Sequence, residues 1–264
     1  MRRSNPKKGL GLAEKVGLSE LGAFLQHFFV FMSGSILSVF IDELGNFNMR
    51  DSHGQLYGFT LVFHDQSLSI ADNLLNLEVA FERKGIPAST VFHTAPLIRR
   101  KDQYAEMDSK ERRQIFDCFF SFAKHLPVTC KSFVFYKPDY ESKAQLLNAM
   151  TKALSEFMKE NQSFFLDYSV IEAFYDSGQQ EIAQLLRTVF SGAFHDVEFR
   201  SSTASLYRLQ QVADLICTME ALVVKNEKGI VTKSEENFFL SIRRFMHTYY
   251  RRIRSLNFDS KKHN

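Results

Sequence analysis

Apolar and polar positions along the chain follow two alternating periods. "ILSVFID" (36–42) is a near-continuous apolar run, the pattern of a strand buried on both faces. A polar stretch holding Gly45, Asp51, Ser52 and Gly54 then leads to "QLYGFTLVFH" (55–64), a second strand and hairpin partner of the first. Ser69 is placed to cap a helix running to about Lys84, which Gly85 and Pro87 stop. A short strand is expected at "STVFHT" (89–94), and a helix capped by Asp108 or Ser109 and ended by Pro127. The alternation continues with a strand at 130–137, a helix at 142–161, a strand at 168–176, a helix at 179–191 and a strand at 196–202. Helical periodicity returns over 205–225, and a last helix is expected over about 235–256.

Strands separated by helices of this length predict a layered α/β domain built on a mixed sheet. With 264 residues, 45% of them hydrophobic, the chain can bury one substantial core. No repeat or long Pro/Gly/Ser linker divides it. The organisation expected is therefore an N-terminal extension (1–35), one α/β domain (36–230), and a C-terminal basic helix and tail (231–264). Within the extension an amphipathic helix is expected at 19–31, peripheral to the fold, since Met32 offers an alternative start. The apolar run "LGAFLQHFFVFMSGSILSVFI" is interrupted by Gln26, His27, Ser33, Gly34, Ser35 and Ser38, so it does not read as a membrane span or a cleaved leader. The three cysteines form no CxxC pair and encode no disulfide framework or structural zinc site, which fits a cytoplasmic setting. The formal net charge of +3 is too small to identify a partner.

Candidate chemistry lies in the carboxylates. Ligand sites of α/β sheets lie beyond the carboxyl ends of the strands. Asp42 ends one expected strand, with Glu43 next to it, and Asp176 in "FYDSG" ends another. If those strands are neighbours, both ends face one crevice. Asp214 in "QVADLI" sits on an otherwise apolar helical face, where a lone charge is costly unless paired or metal-bound. Clustered carboxylates of this kind call for a hard divalent cation, Mg²⁺ or Mn²⁺. Each also has a plain structural use: Asp42 and Glu43 suit a turn before Gly45, Asp176 suits a helix cap, and Asp214 suits an arginine partner.

The segments "FIDELGNF", "HTAPL", "FYDSGQ" and "LQQVADLI", in this order and spacing, resemble the family called domain of unknown function 3800. The resemblance spans about 36–225. It implies a ribonuclease-H-like fold, in which carboxylates from the first strand, a later strand and a helix hold two Mg²⁺ ions for phosphodiester hydrolysis. On that basis Asp42, Asp176 and Asp214 are expected metal ligands, with Glu43 a ligand or an orienting partner. His93 matches a histidine of the family's middle motif and is an expected proton relay. Leu44 stands where the family commonly has serine, and Gln210 where it has leucine.

The C-terminal "IRRFMHTYYRRIRSLNF" places Arg244, His247 or Thr248, and Arg251 at helical spacing, with Arg252 beside them and Tyr249 and Tyr250 between, which suits phosphate contacts along a nucleic acid. A solvated basic face, or a helix docked on the sheet, fits the same pattern. Arg99, Arg100 and Lys101 follow "HTAPL" and are placed to edge the crevice. The function expected is a metal-dependent nuclease acting on RNA or DNA. The alternative is a non-catalytic module of the same fold that binds nucleic acid or a protein.

Overall fold

The computed structural model describes residues 35–259, apart from His53, Ser177 and residues 202–206. The helix expected at 19–31 lies outside the described residues. Five strands form one mixed sheet: β1 (Ile36–Leu44), β2 (Leu56–Asp65), β3 (Thr129–Tyr136), β4 (Val170–Tyr175) and β5 (Val197–Ser201). Their order is β3-β2-β1-β4-β5. β1, β2 and β3 run antiparallel in sequence, whereas β4 lies parallel to β1 and β5 parallel to β4. β1 is thus central, which is why its sequence is apolar on both faces.

Period-two alternation divides the core. Leu37, Val39 and Ile41 pack on one face, against α4 (Lys143–Glu160), α5 (Gln162–Leu166) and α6 (Gln180–Ala193). Phe40 packs on the other, against residues of α1 (Ala71–Glu82), α3 (Ser109–Ala123) and α7 (Arg208–Glu227). α7 lies across β1 and β2. The many phenylalanines fill both layers, as in the stacked Phe40–Phe174 pair at 4.6 Å and the Phe92–Phe119 pair at 4.1 Å. Truncating a buried phenylalanine to alanine costs about 3–5 kcal/mol, so these layers hold the sheet ends in place.

Two expected elements differ. Residues 89–94 are not a strand; they lead into a helix, α2 (Thr94–Arg99). The backbone N–H groups of Phe92, His93 and Thr94 donate to the side chains of Gln211, Tyr104 and Asp214, so side chains do the work of a neighbouring strand. Pro96 falls in the first turn of α2, where a missing N–H is harmless. The single helix expected over 235–256 is broken. α8 (Lys233–Phe239), opened by a Thr232–Glu235 capping box, stops at Leu240, whose φ of 65° is left-handed. Ser241 caps a second helical stretch, 242–256, that includes a π turn over Phe245–Tyr250.

This C-terminal stretch belongs to the core. Phe238, Phe245, Ile253 and Leu256 join the cluster of α3 and α7. Asn257 bridges Cys130, and the Phe258 N–H donates to the Cys130 carbonyl at 2.7 Å, covering part of the edge of β3. No helix among the described residues is long and apolar enough to cross a membrane.

Candidate metal centre

The carboxyl end of β1 splits its two acids between the two faces of the sheet. Glu43 follows the alternation of Ile41 and lies with α6. Its Oε2 accepts from the Tyr57 hydroxyl at 3.0 Å and the Tyr175 hydroxyl at 2.8 Å, and its Oε1 from Gln179 Nε2 at 3.1 Å. Burial pushes the Glu43 carboxyl up, and these three donors pull it back down. Both tyrosines are held protonated, chiefly by burial and then by the Glu43 charge. Gly178 permits this packing, since a Cβ there would stand 2.9 Å from Glu43 Oε1. Gly45 then turns the chain at φ +91°, where a Cβ would meet the Leu56 carbonyl at 2.3 Å. The buried Lys137 pins that turn by donating to the carbonyls of Asn46 and Asn48 at 3.1 and 2.8 Å.

Asp42 points the other way, toward α7. Burial raises its carboxyl well above the ordinary range, and the charge of Asp214 is the largest electrostatic cause, ahead of Glu43 and Asp176. A hydrogen bond from Gln210 opposes the rise. The same side chain donates to the Ile41 carbonyl at 2.6 Å, so Gln210 ties α7 to the last turn of the strand. Asp214 is also pushed up by burial. Its Oδ2 accepts the Thr94 N–H at 2.7 Å and its Oδ1 the Thr218 hydroxyl at 3.4 Å. Two half-buried carboxyls therefore stand within each other's field, each more easily protonated than an ordinary carboxyl.

The remaining expected residues fall around this pair. β1 and β4 are parallel neighbours with Ile41 opposite Tyr175, so Asp176, exposed just past β4, is level with Asp42. His93 precedes α2 and is exposed, and its charge acts on Asp214. Of the three basic residues after "HTAPL", Arg99 lines a cleft together with Asp214 and Glu43, whereas Arg100 and Lys101 do not line it. Arg244, Arg251 and Arg252 are exposed on the C-terminal stretch. That stretch is held by Tyr249 on Asp117 of α3 and Tyr250 on Glu220 of α7, at 2.8 and 3.1 Å. Glu220 does not share the face of α7 that carries Asp214, Thr218 and Leu222 to the cleft, so these arginines sit apart from the carboxylate pair.

Among the described residues, no group of three or more His, Cys, Asp or Glu side chains is arranged to hold a metal ion. What the fold brings together is the Asp42–Asp214 pair, with Asp176 in its field. Two hard oxygen donors whose mutual repulsion a cation would relieve fit one Mg²⁺ or Mn²⁺, which takes one or two protein carboxylates and completes its shell from water and substrate phosphate. Sequence reasoning missed Gln210, Thr94 and the tyrosine pair, because a polar residue on a buried face declares its partner only once the strands are in register. No protein-family model matches this chain, and no curated protein matches it.

Proposed function

We propose that the protein is a ribonuclease-H-like, metal-dependent nuclease that hydrolyses phosphodiester bonds in nucleic acid, with Asp42 and Asp214 as its metal-holding residues. The observation that carries this reading is the pair itself: two carboxyls from the end of the central strand and from the helix across it, each raised by burial, with repulsion between them. The central placement of β1, with Asp176 at the end of its parallel neighbour, agrees with the strand, strand and helix origins implied by the resemblance above.

When bound there, Mg²⁺ or Mn²⁺ would polarise the scissile phosphate and lower the pKa of an attacking water. The chain's own residues supply the rest. Gln210 orients the Asp42 carboxylate, and the Thr94 N–H and Thr218 hydroxyl orient that of Asp214. His93, at the exposed rim beside Asp214, is placed to exchange a proton with the substrate. Glu43 holds the strand end through Tyr57 and Tyr175 and acts as a positioning residue. Exposed Arg244, Arg251 and Arg252 contact phosphates farther along a bound strand.

The test is cleavage of labelled single-stranded and duplex RNA and DNA with Mg²⁺, with Mn²⁺ and with a chelator. The reading requires metal-dependent products from wild type and none from Asp42→Asn or Asp214→Asn. A second reading, a non-catalytic module binding nucleic acid or a protein, draws on the fact that no three-ligand group is preassembled among the described residues. It predicts binding that both variants retain and no cleavage at all.

A further inference from the structure

A cleft of about 650 Å³ opens beside Asp214, between the β1–β2 turn, α2, α7 and the start of α8. One wall is apolar, formed by Leu56, Leu222 and Ile230. The other carries Glu235 with two cations, and Glu43, Asp51 and Asp214 add their carboxylates to the lining away from Arg99. Glu235 is buried and already well satisfied, because Lys225 donates to Oε1 at 2.5 Å and the Thr232 N–H to Oε2 at 2.9 Å. Arg99 is its outer partner, at 3.4 Å, with a side chain 44% exposed against 13% for Lys225. A guanidinium carries five N–H donors in a planar fork. The described contacts of Arg99 engage one nitrogen, at the long end of the hydrogen-bond range. The bidentate grip that arginine offers to phosphate is therefore left for a ligand in the cleft it lines.

An apolar wall, an arginine with unengaged donors and polar side chains such as Asn46, Gln55 and Thr218 suit a ligand that joins a phosphate to a body with both an apolar face and hydrogen-bonding edges. The volume lies in the range of small-ligand sites and suits a single nucleotide unit. We propose that this cleft is a subsite for one nucleotide of a single strand, with its phosphate on Arg99 and its base or sugar against Leu56, Leu222 and Ile230. The identity of the ligand rests on the nuclease reading, and its test does not, because binding is read without metal.

Binding of each ribonucleoside 5′-monophosphate, and of inorganic phosphate, is measured calorimetrically in the presence of chelator. Arg99→Gln and Lys101→Gln are compared with wild type; Lys101 is exposed and does not line the cleft, so it controls for loss of a surface charge. Wild type should bind at least one nucleotide more tightly than inorganic phosphate. Arg99→Gln should weaken that binding by about tenfold or more, while Lys101→Gln leaves it unchanged. Arg99→Gln should still fold, since Glu235 keeps Lys225 and the Thr232 cap. Equal affinity in Arg99→Gln, no wild-type binding at millimolar nucleotide, or equal affinity for inorganic phosphate overturns the subsite. Strand cleavage with the same KM in Arg99→Gln also overturns it and leaves the nuclease reading standing. Arginine-dependent nucleotide binding by a protein that cleaves no strand upholds the subsite and removes the nuclease reading.

Discussion

On one face of the sheet, the end of β1 presents Glu43 to three hydrogen-bond donors; on the other, it presents Asp42 to a second carboxyl. The two residues are adjacent in sequence and separated by the pleat. Burial raises both, yet what surrounds them differs. Tyr57, Tyr175 and Gln179 stabilise the Glu43 charge without help from outside the protein. Asp42 has Gln210 on its side and Asp214 against it, so its environment is incomplete as a home for two negative charges. A satisfied carboxylate locks a strand end, whereas an opposed pair leaves work for a cation.

The largest effect should follow from breaking the opposed pair. Asp42→Asn and Asp214→Asn should each lower metal-dependent cleavage by at least about 100-fold, since loss of even a partner outside the ligand shell costs up to that much. Without metal, the same variants should melt at a higher temperature than wild type at neutral pH, because the repulsion is gone. Melting curves in chelator check this, and a lower melting temperature would mark Asp214 as part of a structural ion pair.

Breaking the satisfied side should do the reverse. Glu43→Ala leaves two buried tyrosine hydroxyls and an amide without their acceptor, and should cost about 2 kcal/mol in urea denaturation. Metal binding should persist, because the Glu43 carboxylate is taken up by Tyr57, Tyr175 and Gln179 and leaves Asp42 and Asp214 as the proposed ligands.

The sign of the pH dependence sharpens the contrast. Asp42 and Asp214 have folded pKa values raised above their unfolded ones. Their protonated forms favour the fold, so this contribution is full below the ordinary carboxylate range and is lost as pH rises through the raised values. Metal-free wild type should therefore lose stability as pH rises from acid toward neutral, and Asp42→Asn should flatten that slope in denaturation midpoints measured across pH.

Part of this arrangement was legible in the sequence. The strands and the helices between them follow from the apolar runs, and the placement of Asp42 and Asp176 at strand ends follows from where those runs stop, whereas the sheet order that makes β1 and β4 neighbours emerges only in the fold. The opposite directions of Asp42 and Glu43 follow from period two, yet which face holds the site depends on which helix covers it. The expected strand at 89–94 failed for a physical reason. "STVFHT" has strand composition, but the N–H groups of Phe92 and Thr94 are taken by Gln211 and Asp214, far away in sequence, and that of His93 by Tyr104. The broken C-terminal helix turned on Leu240, a residue with no intrinsic preference for a left-handed conformation.

The smallest expected effect concerns the arginines apart from the pair. Since Tyr249, Tyr250 and buried apolar side chains hold the C-terminal stretch, changing Arg244, Arg251 and Arg252 to Gln should leave the fold intact. Nucleic-acid affinity should weaken, and the log–log salt slope should fall by about 0.7 per lost contact on a single strand. An unchanged slope in filter-binding titrations would reduce these residues to a solvated surface.

The most direct measurement of the central claim is Mn²⁺ binding to wild type, Asp42→Asn, Asp214→Asn and Glu43→Gln, followed by the paramagnetic signal of free Mn²⁺. Wild type and Glu43→Gln should take up the ion, more tightly as pH rises because both carboxyls must deprotonate to ligate, and the two aspartate variants should not. Equal uptake by Asp42→Asn and Asp214→Asn, or loss of uptake in Glu43→Gln alone, would contradict the assignment of the metal to the Asp42–Asp214 face.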